Sequence, residues 1–186
     1  MPNYVNIAVF ASGAGTTLQS LLEKQDEYGY HVGLVVANRA CGALVRADQA
    51  HVLTLETRDW DLIDKSLESN QIQLIVLAGF LAIIPSWLCE KWDKRIINIH
   101  PSLLPKYGGK GMYGIRVQEA VLSSNDRLAG CTVHYVSAEV DGGIIIAQST
   151  VDVEDNDTAA SLSARVQDKE KELLPRVIGE IKHTIQ

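Results

Sequence analysis

Short β-branched apolar runs alternate with amphipathic helical patterns through the first half of the chain. Residues 5–10 form the first such run, and a glycine-containing turn separates it from leucines at helical spacing in residues 16–22. Further strands are predicted at residues 32–37, 53–55, 72–78 and 95–99, and further helices at 43–49, 62–67 and 87–92. Parallel neighbouring strands require a crossover connection, which is usually a helix. The alternation therefore predicts a parallel sheet with helices on both faces.

The pattern changes in the second half of the chain. Proline and glycine are concentrated in residues 101–114, and a sharp turn there favours a cis peptide bond at Leu104–Pro105. The other predicted elements are a helix at 115–123, strands at 131–136 and 144–153, and a helix from 158 to about 181. Asp157 or Thr158 is the expected cap of the last helix. We predict a single α/β domain over residues 1–186, with three α/β/α layers: a mostly parallel twisted sheet, Rossmann-like in its N-terminal half, with antiparallel strands near the C-terminus.

Composition limits the classes of partner. The length of 186 residues fits one domain, and the net charge of −6 opposes broad binding to nucleic acid or anionic lipids. The sequence shows no basic N-terminal stretch followed by a long apolar run, and no apolar run reaches the ~20 residues of a membrane span. We therefore expect a cytoplasmic protein without nucleic-acid or membrane partners. Cys41, Cys89 and Cys131 have neither disulfide nor zinc-site spacing, so no metal is expected.

The turn after the first strand, residues 12–17, has the sequence Ser-Gly-Ala-Gly-Thr-Thr and leads into a helix. Unpaired N–H groups and the positive end of the helix dipole make such a position suitable for a phosphate group. Leu18 stands where a dinucleotide-binding fingerprint has its third glycine, and no lysine follows Gly15 as in a Walker A loop, so both of those motifs fit poorly. A tight strand-to-helix turn with a hydroxyl cap and no ligand is the alternative.

Asn98 and His100 lie at the predicted carboxyl end of a parallel strand, where open α/β sheets have their active sites. Because side chains alternate along a strand, these two point to the same side. An amide donor and an imidazole can together stabilise a developing oxyanion and transfer a proton. The alternative is that both are hydrogen-bonded structural residues.

Three further polar side chains lie on the later strands and in the turn between them. Thr132 and His134 share one face of a strand, and Asp141 lies in an Asp-Gly-Gly turn. If this strand adjoins that of His100, the Asp141 carboxylate raises the pKa of the imidazole and relays a proton through water. Asp-Gly is also an ordinary turn signal, which gives the turn a purely structural interpretation.

In the last predicted helix, Gln167 and Glu170 are three residues apart and share one face. That face would contact a ligand if it borders the site. A solvated face is the alternative interpretation.

The ordered set of motifs resembles one family over nearly the whole chain. The motifs are Ser-Gly-Ala-Gly-Thr-Thr-Leu-Gln at 12–19, Leu-Ala-Gly-Phe at 77–80, Asn-Ile-His-Pro-Ser-Leu-Leu-Pro-Lys at 98–106, Val-His-Tyr-Val at 133–136 and Asp-Gly-Gly at 141–143. Together they resemble the phosphoribosylglycinamide formyltransferases, folate-dependent enzymes of purine synthesis. The Asn-x-His-Pro-Ser-Leu-Leu-Pro motif alone marks the wider formyltransferase superfamily. The chain length is expected to exclude the additional domains of methionyl-tRNA formyltransferase and formyltetrahydrofolate hydrolase.

The resemblance implies an activity and its mechanism. The formyl group of 10-formyltetrahydrofolate, a co-substrate, would pass to the amine of glycinamide ribonucleotide in de novo purine biosynthesis, by direct amine attack through a tetrahedral intermediate. We expect Asn98 and a protonated His100 to stabilise that intermediate. Asp141 would keep His100 cationic and move the proton through water, with Thr132 and His134 in support.

The resemblance also implies binding residues. The phosphate and ribose of the nucleotide would contact Gly15, Thr16, Thr17, Gln167 and Glu170. The folate would contact Phe80, Leu81, Ala82, Ile83, Ile84, Leu88, Asn98, Val136, Val140 and Asp141. The chain departs from the family pattern at Thr17, where Asn is common, and at Leu81-Ala82, where Met-Arg is common. The role of residues 108–115 and the choice between monomer and homodimer stay open.

Two other functions are compatible with the sequence. A superfamily relative would formylate another amine, such as an amino sugar nucleotide, or transfer the formyl group to water. A non-catalytic nucleotide- or folate-binding protein would keep the first turn but would not need Asn98, His100 and Asp141. In each case the partners are small molecules.

Overall fold

Seven strands form a single sheet in the computed structural model, which describes residues 4–185. The strands are β1 (Val5–Phe10), β2 (Tyr30–Ala37), β3 (Leu53–Glu56), β4 (Leu74–Leu77), β5 (Ile96–His100), β6 (Leu128–Tyr135) and β7 (Ile145–Asp152). The helices are α1 (Thr16–Tyr28), α2 (Gly42–Gln49), α3 (Trp60–Ser69), α4 (Ser86–Lys91), α5 (Ile115–Ser123) and α6 (Ala159–Ile181), and a 3₁₀ turn follows at Lys182–Thr184.

The strand order across the sheet is β3-β2-β1-β4-β5-β6-β7. Strands β1 to β5 pair in parallel, whereas β6 pairs antiparallel with β5, and β7 with β6. The predicted α/β fold, parallel at first and antiparallel near the C-terminus, is therefore confirmed. The chain passes from β1 to β2 on one side and later returns to β4 on the other. This divergence creates a crevice at the carboxyl ends of the strands, where open α/β sheets bind ligands.

Two apolar cores lie on opposite faces of the sheet. On one face, α1, α5 and α6 bury Leu18, Val121 and Leu174. On the other face, α3 and α4 bury Ile63 and Leu88. Burying a side chain of this kind contributes about 1.5–3 kcal/mol. All four residues of β4 are buried between the two layers, which explains its uninterrupted apolar sequence.

Some elements begin earlier than the apolar spacing predicts. Helix α3 begins at Trp60 because Asp59 caps it: the Asp59 carboxylate accepts the backbone N–H groups of Asp61 and Leu62 at 3.0 and 3.1 Å. Strand β6 begins at Leu128 because it pairs with β7 from that residue onward. Capping and strand pairing thus extend these elements beyond the residues whose periodicity marks them.

Helix α6 is the longest helix, at 23 residues, and it packs against α1, α5, β6 and β7. Thr158 caps it, as predicted, in a capping box with Ser161. The segment between β5 and α5 is irregular and contains the expected cis bond at Leu104–Pro105. Within residues 4–185, no helix is long and apolar enough to cross a membrane.

We expect Gly15→Ala to destabilise the protein by about 1–3 kcal/mol. Gly15 is the N-cap of α1 with a φ of 76°, and a Cβ there would lie 2.6 Å from Ala43 Cα. Urea unfolding measures the loss. Gly13→Ala is the matched control, because nothing lies within 4 Å of a Cβ at Gly13. Equal unfolding midpoints for the two variants would contradict this prediction.

Candidate active site

A cavity of about 720 Å³ opens at the carboxyl ends of β1, β4 and β5. Its walls are residues 12–17, Arg39, residues 77–84, residues 98–101, residues 109–114, His134, residues 136–141, Ser163, Gln167 and Glu170. The turn at residues 12–17, which we name the phosphate-type turn, and the loop at residues 136–141 therefore border the same cavity. This cavity lies in the crevice that the strand order creates. Among residues 4–185, no three His, Cys, Asp or Glu side chains are grouped to hold a metal ion.

Asn98 is oriented by His134, which lies opposite it in the β5–β6 pairing. Asn98 Nδ2 lies 3.0 Å from His134 Nε2, and His134 Nδ1 lies 2.9 Å from the carbonyl oxygen of Tyr135. Because a carbonyl oxygen only accepts, Nδ1 carries the proton, and Nε2 accepts a hydrogen bond from Asn98. The second N–H of the Asn98 amide is then free for a ligand in the cavity that Asn98 lines.

His100 is 4% exposed and has a partner at each ring nitrogen. Nε2 lies 2.8 Å from the carbonyl oxygen of Tyr107, so Nε2–H donates to that oxygen. Nδ1 lies 3.5 Å from Asp141 Oδ2. The neutral ring therefore keeps its proton on Nε2 and has a lone pair at Nδ1. A second proton adds at Nδ1, beside the carboxylate.

Asp141 lies between the two histidines. Its Oδ2 accepts the backbone N–H of Gly109 at 2.9 Å, and its Oδ1 lies 3.5 Å from His134 Nε2. Burial opposes a charge here, but the positive charge that His134 and His100 acquire on protonation, together with the Gly109 N–H, outweighs burial and lowers the pKa of Asp141 below 3.8. The carboxylate is therefore ionised at neutral pH. Strands β5 and β6 are neighbours in the sheet, which is the condition for grouping Asp141 with His100.

The protonation state of His100 differs from the expectation. Burial lowers its pKa below 6.5, while Asp141 and the Tyr107 carbonyl act in the opposite direction. The net change is downward, so the ring is neutral at pH 7. The prediction that Asp141 keeps His100 cationic is wrong for the free protein, because desolvation of a buried imidazolium outweighs the attraction of the carboxylate.

The first turn has the geometry of an anion site. Gly15 caps α1 in a left-handed conformation, and the backbone N–H groups of Thr16 and Thr17 begin the helix without i−4 carbonyl partners inside it. Both threonines line the cavity. Ser12 Oγ accepts the backbone N–H of Leu81 at 3.0 Å, which ties this turn to the segment after β4.

Helix α6 contributes polar groups to the same cavity. Gln167 and Glu170 both line it, so they do not belong to a purely solvated face. Glu170 is 8% exposed, and burial raises its pKa to about 7 although Lys171 opposes the change. A buried carboxyl group of this kind suits hydrogen bonds from hydroxyl groups.

One wall of the cavity is apolar. It consists of Phe80, Leu81, Ala82, Ile83, Ile84, Val136 and Val140. Leu81 and Ile83 are 52% and 66% exposed, and neighbouring exposed apolar side chains at a cavity mark a surface that receives a ligand. This wall suits the flat apolar part of an organic ligand.

Residues 5–178 match the sequence profile of the family described as formyl transferase. The chain belongs to the formyl transferase family. Phosphoribosylglycinamide formyltransferase of Haemophilus influenzae is 34% identical over 92% of this chain and 84% of its own length. The chloroplastic phosphoribosylglycinamide formyltransferase of Arabidopsis thaliana is 39% identical over 97% of this chain, which spans only 66% of that protein. The crystal structure of phosphoribosylglycinamide formyltransferase from Anaplasma phagocytophilum superposes on this protein with a TM-score of 0.90 and 33% sequence identity. The superposition covers 97% of this chain and 88% of that chain.

The resemblance predicted from the motifs is thus confirmed, because relatives and solved structures similar over nearly the whole chain carry that name. The TM-score of 0.90 with that structure also confirms the predicted fold class of the chain. The first turn, the Asn98–His100 strand end and the Asp141 loop all lie inside the matched residues.

Two predicted site residues do not line the cavity. Leu88 is fully buried in the core beneath α4, so its assignment as a folate contact is wrong. Thr132 is also fully buried: its hydroxyl donates to the Ser102 carbonyl at 2.6 Å and accepts the Leu104 N–H at 3.0 Å. Thr132 therefore does not converge on the cavity with the other polar groups, but stabilises the segment that follows β5.

The sequence motifs do not predict several groups that hold the site residues in place. The Tyr107 carbonyl and the Gly109 N–H are backbone groups, which no side-chain motif marks. The Arg39 guanidinium donates two hydrogen bonds to the Ser12 carbonyl, at 3.1 and 3.0 Å, and so braces the first turn. Residues 109–114 line the cavity, which answers the open question about the glycine-rich segment. Its glycines were the one available signal of a close backbone approach.

We expect wild type to lose on the order of 3 kcal/mol of unfolding free energy between pH 4 and pH 8 through Glu170, and Glu170→Gln to lack this loss. The pKa of Glu170 is about 7 in the folded protein against 4.5 ordinarily, so stability is lost as pH rises between these values. Gln carries no charge and removes this loss. Urea unfolding at pH 4, 6 and 8 measures it. Glu172→Gln, on an exposed face of α6, is the control, and equal pH slopes for wild type and Glu170→Gln would refute the prediction.

Proposed function

We propose that this protein transfers the formyl group of 10-formyltetrahydrofolate to the amine of glycinamide ribonucleotide, in de novo purine biosynthesis. One observation carries the proposal: Asn98, His100 and Asp141 converge in a cavity that also has a phosphate-type turn and an apolar wall. The nucleotide phosphate, the reacting amine and the folate each have a matching surface. The names of the similar proteins support the same assignment.

His100 accepts the first proton. An α-amino group ordinarily titrates near pH ~8, so the substrate amine arrives mostly as ammonium. The neutral His100 ring has its lone pair at Nδ1, since Nε2–H donates to the Tyr107 carbonyl. Transfer of one ammonium proton to Nδ1 gives a nucleophilic amine and an imidazolium beside the Asp141 carboxylate. Proton acceptance by the histidine thus prepares both the nucleophile and the acid.

Asn98 and the new imidazolium stabilise the tetrahedral intermediate. The amine nitrogen forms a bond to the formyl carbon, and the carbonyl π pair moves to oxygen. The free N–H of Asn98 and the Nδ1–H of His100 then donate to this oxyanion. The Asn98 amide and the His100 ring are both held by protein groups before the reaction starts, so little reorganisation of these side chains opposes the charge development.

Asp141 controls the second proton. The intermediate collapses when the carbon–nitrogen bond to the folate breaks, and the departing nitrogen needs a proton from the newly bonded amine. Asp141 is ionised and borders the cavity, so it accepts that proton through water and returns it to the folate nitrogen. His100 then releases its proton to solvent, which restores the neutral ring and balances the overall loss of one proton.

The remaining surfaces bind the two substrates. Thr16 and Thr17 N–H groups would hold the phosphate, and Gln167 with Glu170 would bind the ribose hydroxyls. The apolar wall would bind the folate, with residues 136–141 beside its pterin. No metal takes part in this scheme. The net charge of −6 supports small-molecule partners rather than nucleic acid.

An assay with purified protein, 10-formyltetrahydrofolate and a set of amines tests the proposal. The amines are glycinamide ribonucleotide, glycinamide without the ribose phosphate, and an amino sugar nucleotide, with a reaction lacking amine as control. We expect tetrahydrofolate formation that depends on glycinamide ribonucleotide and falls strongly without its ribose phosphate. Equal turnover without amine would identify a hydrolase, and preference for the amino sugar would identify a different acceptor.

A further inference from the structure

Residues 106–109, which we name the bridge, hold both members of the His100–Asp141 pair. The carbonyl of Tyr107 accepts the His100 Nε2–H at 2.8 Å, and the N–H of Gly109 donates to Asp141 Oδ2 at 2.9 Å. These bonds hold the ring and the carboxylate with Nδ1 and Oδ2 at 3.5 Å. Hydrogen bonds are directional, so a shift of the bridge changes both partners together.

The bridge backbone does not favour this arrangement by itself. Tyr107 has a φ of 55°, in the left-handed region that residues with a Cβ rarely adopt. Gly108 is closely packed, since a Cβ there would lie 2.5 Å from Leu104 Cδ2. Because the Tyr107 conformation costs free energy, other contacts must maintain it. Ser102 Oγ donates to the Lys106 carbonyl at 2.6 Å, and the Tyr107 ring packs against the core. The position of the carbonyl that fixes the His100 proton depends in addition on the bond that holds the Tyr107 hydroxyl.

Asp126 holds that side chain. Its Oδ2 accepts the Tyr107 hydroxyl at 2.8 Å and the Lys106 ammonium at 2.9 Å. Both bonds lower the pKa of Asp126 below 3.8, so the acceptor is charged and the bond from Tyr107 is strengthened. The Lys106 side chain is 66% exposed and adds little. The Tyr107 hydroxyl is thus the main link between Asp126 and the bridge.

Asp126 acts from outside the active-site cavity. It is not among the residues that line that cavity, and it borders a separate one of about 360 Å³ with Leu103 and Tyr107. It follows α5, and it bonds to the Tyr107 side chain rather than to the backbone groups that contact His100 and Asp141. A role for Asp126 in the reaction is therefore indirect.

We propose that Asp126 is a positioning residue, which acts through Tyr107 to keep the His100 proton on Nε2 and Nδ1 free for the substrate. Loss of the Tyr107–Asp126 bond lets Tyr107 leave its left-handed conformation, and its carbonyl then leaves Nε2. The proton moves to Nδ1, where the Asp141 carboxylate holds it. Such a ring no longer accepts a proton from the substrate at Nδ1. Only the kinetic part of this inference rests on the proposed function.

The tautomer of His100 is measured without any substrate. Nitrogen NMR of the imidazole, with His100→Asn to assign the signals, distinguishes the two neutral forms at pH 8. We expect Nε2–H to dominate in wild type, and Nδ1–H to rise to a substantial fraction in Tyr107→Phe and in Asp126→Ala. Asp126→Asn keeps an oxygen acceptor for the hydroxyl, so it should resemble wild type more closely. Asp155→Ala, which removes an exposed carboxylate paired with Arg127, should leave the tautomer unchanged.

The kinetic arm uses formyl transfer to glycinamide ribonucleotide. Tyr107→Phe and Asp126→Ala should each lower kcat about tenfold to a hundredfold, with both KM values within about twofold of wild type. The double variant should lose no more than either single variant, because both remove one bond. Asp126→Asn should recover most of kcat, and Asp155→Ala should keep all of it.

The two arms separate the possible failures. Wild-type tautomer fractions in both Tyr107→Phe and Asp126→Ala overturn the inference, as do losses of kcat that multiply in the double variant. If wild type fails to formylate glycinamide ribonucleotide, the proposed function is wrong, and the NMR arm still decides the role of Asp126. If Asp126→Ala does not unfold cooperatively, Tyr107→Phe decides alone, because it removes only a hydroxyl.

Discussion

Asn98→Ala is expected to lower kcat by about 10²–10³, with folate affinity changed by less than threefold. Removing one oxyanion donor typically has an effect of this size, since the donor acts on charge that exists mainly in the transition state. The Asn98 amide is well prepared for that role, because His134 accepts one N–H and leaves the other for the substrate oxygen. Steady-state kinetics and equilibrium folate binding measure the two quantities.

Two further variants make the Asn98 result specific. Asn98→Asp keeps the shape but replaces the donor with an acceptor of negative charge, so it should lose at least as much kcat. Asn156→Ala, at an exposed turn residue, should behave as wild type. A loss confined to folate affinity, or near-normal kcat in Asn98→Ala, would remove Asn98 from the oxyanion site.

Much of the fold follows from local sequence patterns. The apolar runs predict β1, β2, β4 and β5 because parallel strands covered on both faces need uninterrupted apolar residues. The turn at residues 12–17, which leads from β1 into α1, and the cap at Thr158 are equally local, and both elements appear as expected, although the cap of α1 is Gly15 without a side-chain hydrogen bond. Boundaries set by pairing or by a capping side chain, as at Leu128 and Asp59, are not marked by apolar periodicity.

In the candidate site, too, local patterns predict some features and tertiary packing determines the others. Period-two alternation predicts that Asn98 and His100 share a side, and the motifs group them with Asp141. Helical spacing predicts the shared face of Gln167 and Glu170, but only the packing of α6 reveals that this face borders the cavity.

Tertiary packing accounts for the errors. Leu88 is close in sequence to the residues of the apolar wall, but its position on α4 directs its side chain into the core. The charge on His100 depends on burial, which motifs do not report. The bridge acts on His100 and Asp141 through backbone groups, whose directions follow from the left-handed conformation of Tyr107 rather than from its identity.

His100→Ala should also lower kcat by about 10²–10⁴, the range that general acid–base groups contribute. Its KM for folate should stay near the wild-type value, since the ring acts on the proton and the oxyanion. Asp141→Asn should lower kcat as well, because it removes both the water-mediated relay and the charge that stabilises the imidazolium. The double variant should lose less than the product of the two single losses, because the residues form one unit. Losses that multiply would show independent roles.

The pH dependence of kcat/KM tests the proton transfers directly. In the proposed mechanism the neutral His100 ring receives a proton from the substrate ammonium, so protonating the free ring at low pH stops the reaction and produces the acidic limb. The Asp141 carboxylate acts to raise the pKa of His100 even though burial lowers it overall. Asp141→Asn should therefore lower that pKa further and shift the acidic limb to lower pH, while the basic limb, set by the substrate amine, stays in place. His100→Ala should lack this acidic limb. If Asp141→Asn shifted the limb to higher pH, or if His100→Ala kept it unchanged, a group other than His100 would be the proton acceptor.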